Sequence, residues 1–168
     1  MFSERQQRYL NDVSQILEGL GIGPNSQRRM SSPDRIVAFL RTQNGKRFDI
    51  NFFMDGTELV YESVVAKAVS GHPANALRFY QTLLTYNSTV SKINFGLVSS
   101  KNGWMLILKG AQDYRFVNAT FLHDLLLYFN FCYSTHVERI ILLAQELSLT
   151  FSGKLDDAIR LFVEGIIE

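Results

Sequence analysis

The chain has one cysteine, Cys132, and three prolines in 168 residues. A lone thiol excludes an internal disulfide framework and any zinc site built on several cysteines. An excess of either charge is missing too: 17 Lys+Arg stand against 16 Asp+Glu, a formal net charge of +1. So even a balance argues against a dedicated nucleic-acid binder and against an acidic disordered tail. Long apolar runs are lacking. No uncharged stretch exceeds the one from Leu125 to Val137, too short and too polar to span a bilayer, so no membrane role is expected. The opening Met1-Phe2-Ser3-Glu4-Arg5 has no apolar run behind it. No secretory signal is expected, and a cytoplasmic location follows.

Apolar residues, at 46%, are plentiful. A chain of this length buries roughly 70% of its unfolded surface, so it folds without disulfides or metal. The length suits one domain with a short appendage. A single α+β domain is expected over residues 1–152, with an amphipathic helix appended over 153–168.

Periodicity supplies the elements. Ser3 is a candidate N-cap, and Tyr9, Leu10, Val13, Ile16, Leu17 and Leu20 recur at helical spacing until Gly21. The glycine- and proline-bearing segment from Gly21 to Pro33 reads as a loop. Three strands are expected next: Arg35 to Thr42, a strand alternating through Phe48, Ile50 and Phe52, and Leu59 to Val65. Asn44-Gly45 predicts a type I′ hairpin between the first two, and Asp55-Gly56 a second hairpin. Pro73 opens a helix carrying Ala76, Leu77, Phe79, Tyr80, Leu83 and Leu84. Ile93 to Leu97 and Trp104 to Lys109 form a strand pair around Lys101-Asn102-Gly103. From Asn118 one long helix is expected to reach about Leu149, and Ser152-Gly153 then precedes the terminal helix. The order is α-βββ-α-ββ-α-α, an antiparallel sheet with helices mainly on one face.

No catalytic set emerges, and the chain is not expected to be an enzyme or to hold a cofactor. Gly19, Gly21 and Gly23 follow a helix, with no Gly-Lys-Ser/Thr after them, so they end the helix and do not cradle a phosphate. His123 and His136 lie about 220° apart around a helix and cannot share a metal. Cys132 falls on an apolar stripe and reads as a buried core thiol.

Two features point to binding. Arg28, Arg29, Arg35, Arg41, Lys46 and Arg47 form the densest basic region. It could meet RNA or an acidic partner, but along the chain these residues lack the aromatic interleaving of a stacking platform. Apolar side chains are also in surplus. Leu127 and Phe131 lie away from the centre of their helix's apolar stripe, while Phe39 and Phe53 put bulk on the polar side of their strands. The sheet is therefore either sandwiched between helices or open on one face for binding.

Residues 74–147 add a resemblance. Ala76-Leu77-Arg78-Phe79-Tyr80-Gln81-Thr82-Leu83-Leu84-Thr85-Tyr86-Asn87, then Lys92-Ile93-Asn94-Phe95-Gly96-Leu97, a turn, Met105-Leu106-Ile107-Leu108 and a long helix resemble the YbjN and type III secretion chaperone-like group. The likeness is one of element order and hydrophobic pattern. It implies a non-enzymatic, cytoplasmic, usually homodimeric α/β protein, whose chaperone members hold an extended partner segment on apolar patches. Those chaperones are acidic and this chain is not. A chaperone or adaptor for a protein partner is expected, binding through Phe39, Phe53, Leu127, Phe131 and Phe162. The alternative is a regulatory protein touching nucleic acid or an acidic partner through Arg28, Arg29, Arg35, Arg41 and Arg47.

Overall fold

A computed structural model describes residues 3–31, 34–87, 92–101 and 103–151. Helix α1 (Glu4–Gly19) is followed by strands β1 (Gln27–Ser31), β2 (Asp34–Arg41), β3 (Arg47–Asp55) and β4 (Glu58–Ser70). Helix α2 (Pro73–Asn87) leads to β5 (Asn94–Ser100) and β6 (Gly103–Asp113). After a short 3-10 turn come α3 (Ala119–Phe131), a π-helical turn (Cys132–His136), α4 (Val137–Glu146) and β7 (Thr150–Phe151). The strands form one antiparallel sheet in the order β1-β2-β3-β4-β6-β5, with β7 paired to the end of β4.

Local chemistry explains the ends of the helices. Ser3 and Gln6 cap α1 reciprocally, the Ser3 hydroxyl accepting from the Gln6 amide at 3.2 Å and the Gln6 side chain from the Ser3 amide at 3.0 Å. Asn118 caps α3 by accepting from the Phe121 amide at 2.9 Å. At the start of α2, His72 Nδ1 accepts from the Ala74 amide, a local turn role.

All four described helices feed one core. Leu10, Val13 and Leu17 of α1, Ala76, Phe79 and Leu83 of α2, and Leu122, Leu125, Phe129, Ile140 and Ala144 of α3 and α4 join a single cluster. Its sheet side is Ile36, Ala38, Phe48, Ile50, Phe52, Met54, Leu59, Tyr61, Leu106 and Leu108. These side chains alternate along each strand, so the cluster uses one face of the sheet. Gly110 stands opposite Tyr61, where a Cβ would collide with the tyrosine ring. That room lets Tyr61 reach the Lys92 carbonyl at 3.1 Å.

Four expectations are corrected. Within the segment read as a loop, Gln27–Ser31 is an edge strand paired to β2, its one apolar residue being Met30. The first hairpin has a three-residue loop, Gln43 to Gly45, because Thr42 and Lys46 still bond to each other. Only Gly45 has positive φ (84°), as a type I turn closed by a glycine bulge requires, so type I′ is excluded. The single long helix is broken by the π turn, which places the adjacent Cys132 and Tyr133 both in the core. Finally, β7 adds a strand after α4. The second hairpin, with Gly56 and Thr57 between paired Asp55 and Glu58, stands as expected. The appended helix over 153–168, with Phe162, lies outside the described residues.

Candidate functional site

The face of the sheet opposite the helices is where the sequence's two binding signals meet. Pairing Val37 with Asn51 and Phe39 with Asp49 aligns the odd positions of β2 and β3. Arg28 opposite Val37, Met30 opposite Arg35, Glu62 opposite Asn51 and Lys109 opposite Glu62 extend this face over β1, β4 and β6. No described helix packs on it. Phe39 remains 47% exposed at its surface, and Phe53 is half-buried between Val60 and the Arg35 position.

Of the five arginines of the basic segment, the structure brings four together here: Arg28, Arg35, Arg41 and Arg47. Arg29 does not belong to the set. It turns to the helix side, forks onto Asp34 at 2.5 and 2.7 Å, and touches Asn11 of α1. Lys46, in the same basic run, is buried against Glu138 of α4 at 3.1 Å. The phenylalanines divide likewise. Phe39 and Phe53 lie on the open face, whereas Leu127 and Phe131 project from α3 on the other side of the protein, 53% and 52% exposed.

Sequence reasoning missed Lys67, Lys109 and Asp49. Strand pairing brings Asp49 and Lys109 to this face, and Lys67 acts on Asp49 from β4; alternation from Asn51 was the signal available for Asp49. Six cations, Arg28, Arg35, Arg41, Arg47, Lys67 and Lys109, share this face with five carboxylates, of which Asp55, Glu58 and Asp113 sit together at the second hairpin and Asp49 and Glu62 lie among the cations. None of the six cations forms an ion pair within 4 Å among the described residues. The Nε of Arg35 is buried with no hydrogen-bond partner among those residues.

Asp49 sits where β3 and β4 separate. Their ladder runs from Asp55–Glu58 to Asn51–Glu62. Past that point the Ser63 hydroxyl donates to the Asp49 carbonyl at 2.5 Å in place of a strand bond. The Tyr133 hydroxyl lies 2.5 Å from the Ser63 hydroxyl oxygen, and its ring stacks on Phe48 at 4.3 Å. With the serine proton committed to Asp49, Tyr133 donates to Ser63. Burial raises the Asp49 carboxyl above its ordinary range, against the pull of its own backbone amide, Lys67 and Arg35.

At the hairpin end of this face, a cleft of about 820 Å³ runs past Phe39, Leu40, Arg41, Arg47, Phe48 and Asp49, with Ile22 and Ser26 closing its far wall. β1 begins at Gln27, opposite Ala38, and the Phe39 amide donates to the Ser26 carbonyl at 2.8 Å, so the pairing on this side stops short of Leu40 and Arg41.

Burial pushes the Cys132 thiol up to about 12, which keeps it protonated. Among the described residues, no three of His, Cys, Asp and Glu gather to hold a metal. No described helix is long and apolar enough to cross a membrane.

The architecture defines an α+β protein: a seven-stranded antiparallel sheet with the described helices on one face and none of them on the other. Its fold is similar to that of YbjN from E. coli, whose crystal structure is described as that of "a putative transcription regulator", with a TM-score of 0.55. The match covers 85% of this chain and 96% of that one at 14% identity, and such a likeness shows the fold alone. No family model matches the chain. No curated protein matches it in sequence.

Proposed function

We propose that this chain is a non-enzymatic binding module, a chaperone or adaptor that holds an extended, acidic and apolar segment of a protein partner on its open sheet face. One observation carries the reading: on a face where no described helix packs, Phe39 and Phe53 stand with six cations that lack ion pairs among the described residues. An extended segment presents side chains on alternating sides, so it can set apolar groups on the rings and carboxylates on the arginines.

A specific observation favours a second reading, a contact with single-stranded nucleic acid. The aromatic interleaving absent along the chain exists across the strands, where the two rings stand among the arginines, and bases could stack on them. The fold neighbour YbjN, described as "a putative transcription regulator", points the same way.

Fluorescence anisotropy with two labelled probes separates the readings: a peptide alternating Glu with Phe or Leu, and oligothymidine. The peptide is expected to bind with a shallow salt dependence and to be lost in Phe39→Asp. Phe39→Leu should keep the peptide, since it keeps apolar area. Tight oligothymidine binding that weakens with a log–log salt slope of about −0.7 per phosphate contacted, and that fails in Phe39→Leu, would replace the first reading by the second.

A further inference from the structure

Arg41 and Arg47 are paired directly across the β2–β3 hairpin. Like charges so placed repel and destabilise a sheet, with Cβ atoms roughly 5 Å apart. Among the described residues neither arginine has an ion pair, and both line the cleft of about 820 Å³. The cleft's one carboxylate, Asp49, has Lys67 and Arg35 within its field as well. Two guanidinium groups that line one cleft from directly paired positions, without an ion pair among the described residues, define a site for a doubly charged oxyanion.

We infer that this cleft binds a phosphate monoester, carried on a side chain of the partner segment. The assignment deepens the reading of the open face and rests on it. A carboxylate neutralises one guanidinium, whereas a phosphate monoester carries about −1.5 to −2 charges and three acceptor oxygens, enough for both forks. Phe39, on the cleft wall, offers an apolar surface to whatever carries the phosphate.

The test uses the whole chain, with phenyl phosphate, benzoate, and the acidic peptide with and without one phosphoserine, all at fixed ionic strength. Phenyl phosphate is expected to shift the amide resonances of residues 39–41 and 47–49 saturably, and benzoate far less. The phosphopeptide should bind at least about tenfold more tightly than its parent. Arg41→Gln and Arg47→Gln should each remove that gain, while Arg28→Gln, on the same face but outside the cleft, should keep it. Without phosphate, both cleft variants should melt no lower than the parent, since they relieve a repulsion.

Equal binding of benzoate, or equal loss in Arg28→Gln, would reduce the site to diffuse charge and overturn the inference. Lower melting of the cleft variants would make the arginines structural and overturn it too. Phenyl phosphate binding without any phosphopeptide gain would transfer the site to free phosphate esters and overturn its assignment to the segment. If neither peptide binds anywhere while phenyl phosphate still does, the open-face reading fails and the oxyanion site survives.

Discussion

The two faces of one sheet are built from the same strands by opposite rules. On the covered face, the buried Lys46 is answered by Glu138, and Ser63 by Tyr133 and the Asp49 carbonyl. On the open face, rings stand beside six cations that form no ion pair among the described residues. A folded chain tolerates the second arrangement where water or a partner compensates it. The contrast teaches that the alternation of side chains keeps fold and binding apart, because a residue and its neighbour in sequence serve different faces. Phe52 and Phe53 show this most plainly. One is fully buried in the core and the other lies at a half-buried surface.

The largest test of that contrast compares phenylalanines. Phe52→Ala should cost about 3–5 kcal/mol, since it removes a ring from a closed core and leaves a cavity. Phe39→Ala should cost about 0.5–1 kcal/mol, because the ring is already half in water. Urea unfolding measures both. Equal costs would mean that Phe39 is covered in solution, and the open face would no longer be open.

The seam between the faces comes second. Ser63→Ala strands the Tyr133 hydroxyl and the Asp49 carbonyl where β3 and β4 part. A loss of about 1–3 kcal/mol is expected, the cost of buried polar groups left unmet. A neutral result would show that water replaces the serine, and that the split admits solvent to the covered side.

Much of the covered face was legible in the sequence. Phe48, Ile50 and Phe52 alternate cleanly, and the glycines at positions 45 and 56 mark the hairpins, so the β2–β3–β4 meander follows from period and turn chemistry. The edge strand β1 was not legible, because its residues Gln27, Arg28, Arg29 and Ser31 carry no apolar pattern and backbone pairing holds it. The π turn hides as well, since the apolar stripe runs on through it. The open face was half legible. Phe39, Phe53 and the arginines could be named, but a run of basic residues does not say that Arg29 turns away to Asp34, or that Lys67 and Lys109 join from other strands. Those facts belong to register, which a single sequence leaves unspecified.

The smallest effect, and the most specific to the open face, is the titration of Asp49. Burial raises its pKa above the ordinary 3.8, ahead of the opposing pull of its own amide, Lys67 and Arg35. A raised carboxyl pKa means that the folded chain holds this proton more tightly than the unfolded chain does. Between the ordinary value and the raised one, folding takes up protons, so stability falls as pH rises through that window and the loss is complete above it. Asp49→Asn keeps an oxygen to accept from the backbone amide and cannot ionise. Melting curves recorded from acid to neutral pH should therefore coincide for parent and variant below the window. Above it, the variant should melt at the higher temperature, by a constant margin. An acidic partner would bind the variant more tightly at neutral pH, since one carboxylate has left the cleft wall. If the parent is the more stable at neutral pH, the attraction of Lys67 and Arg35 outweighs burial, and the charges of the open face are then as well matched as those of the covered one.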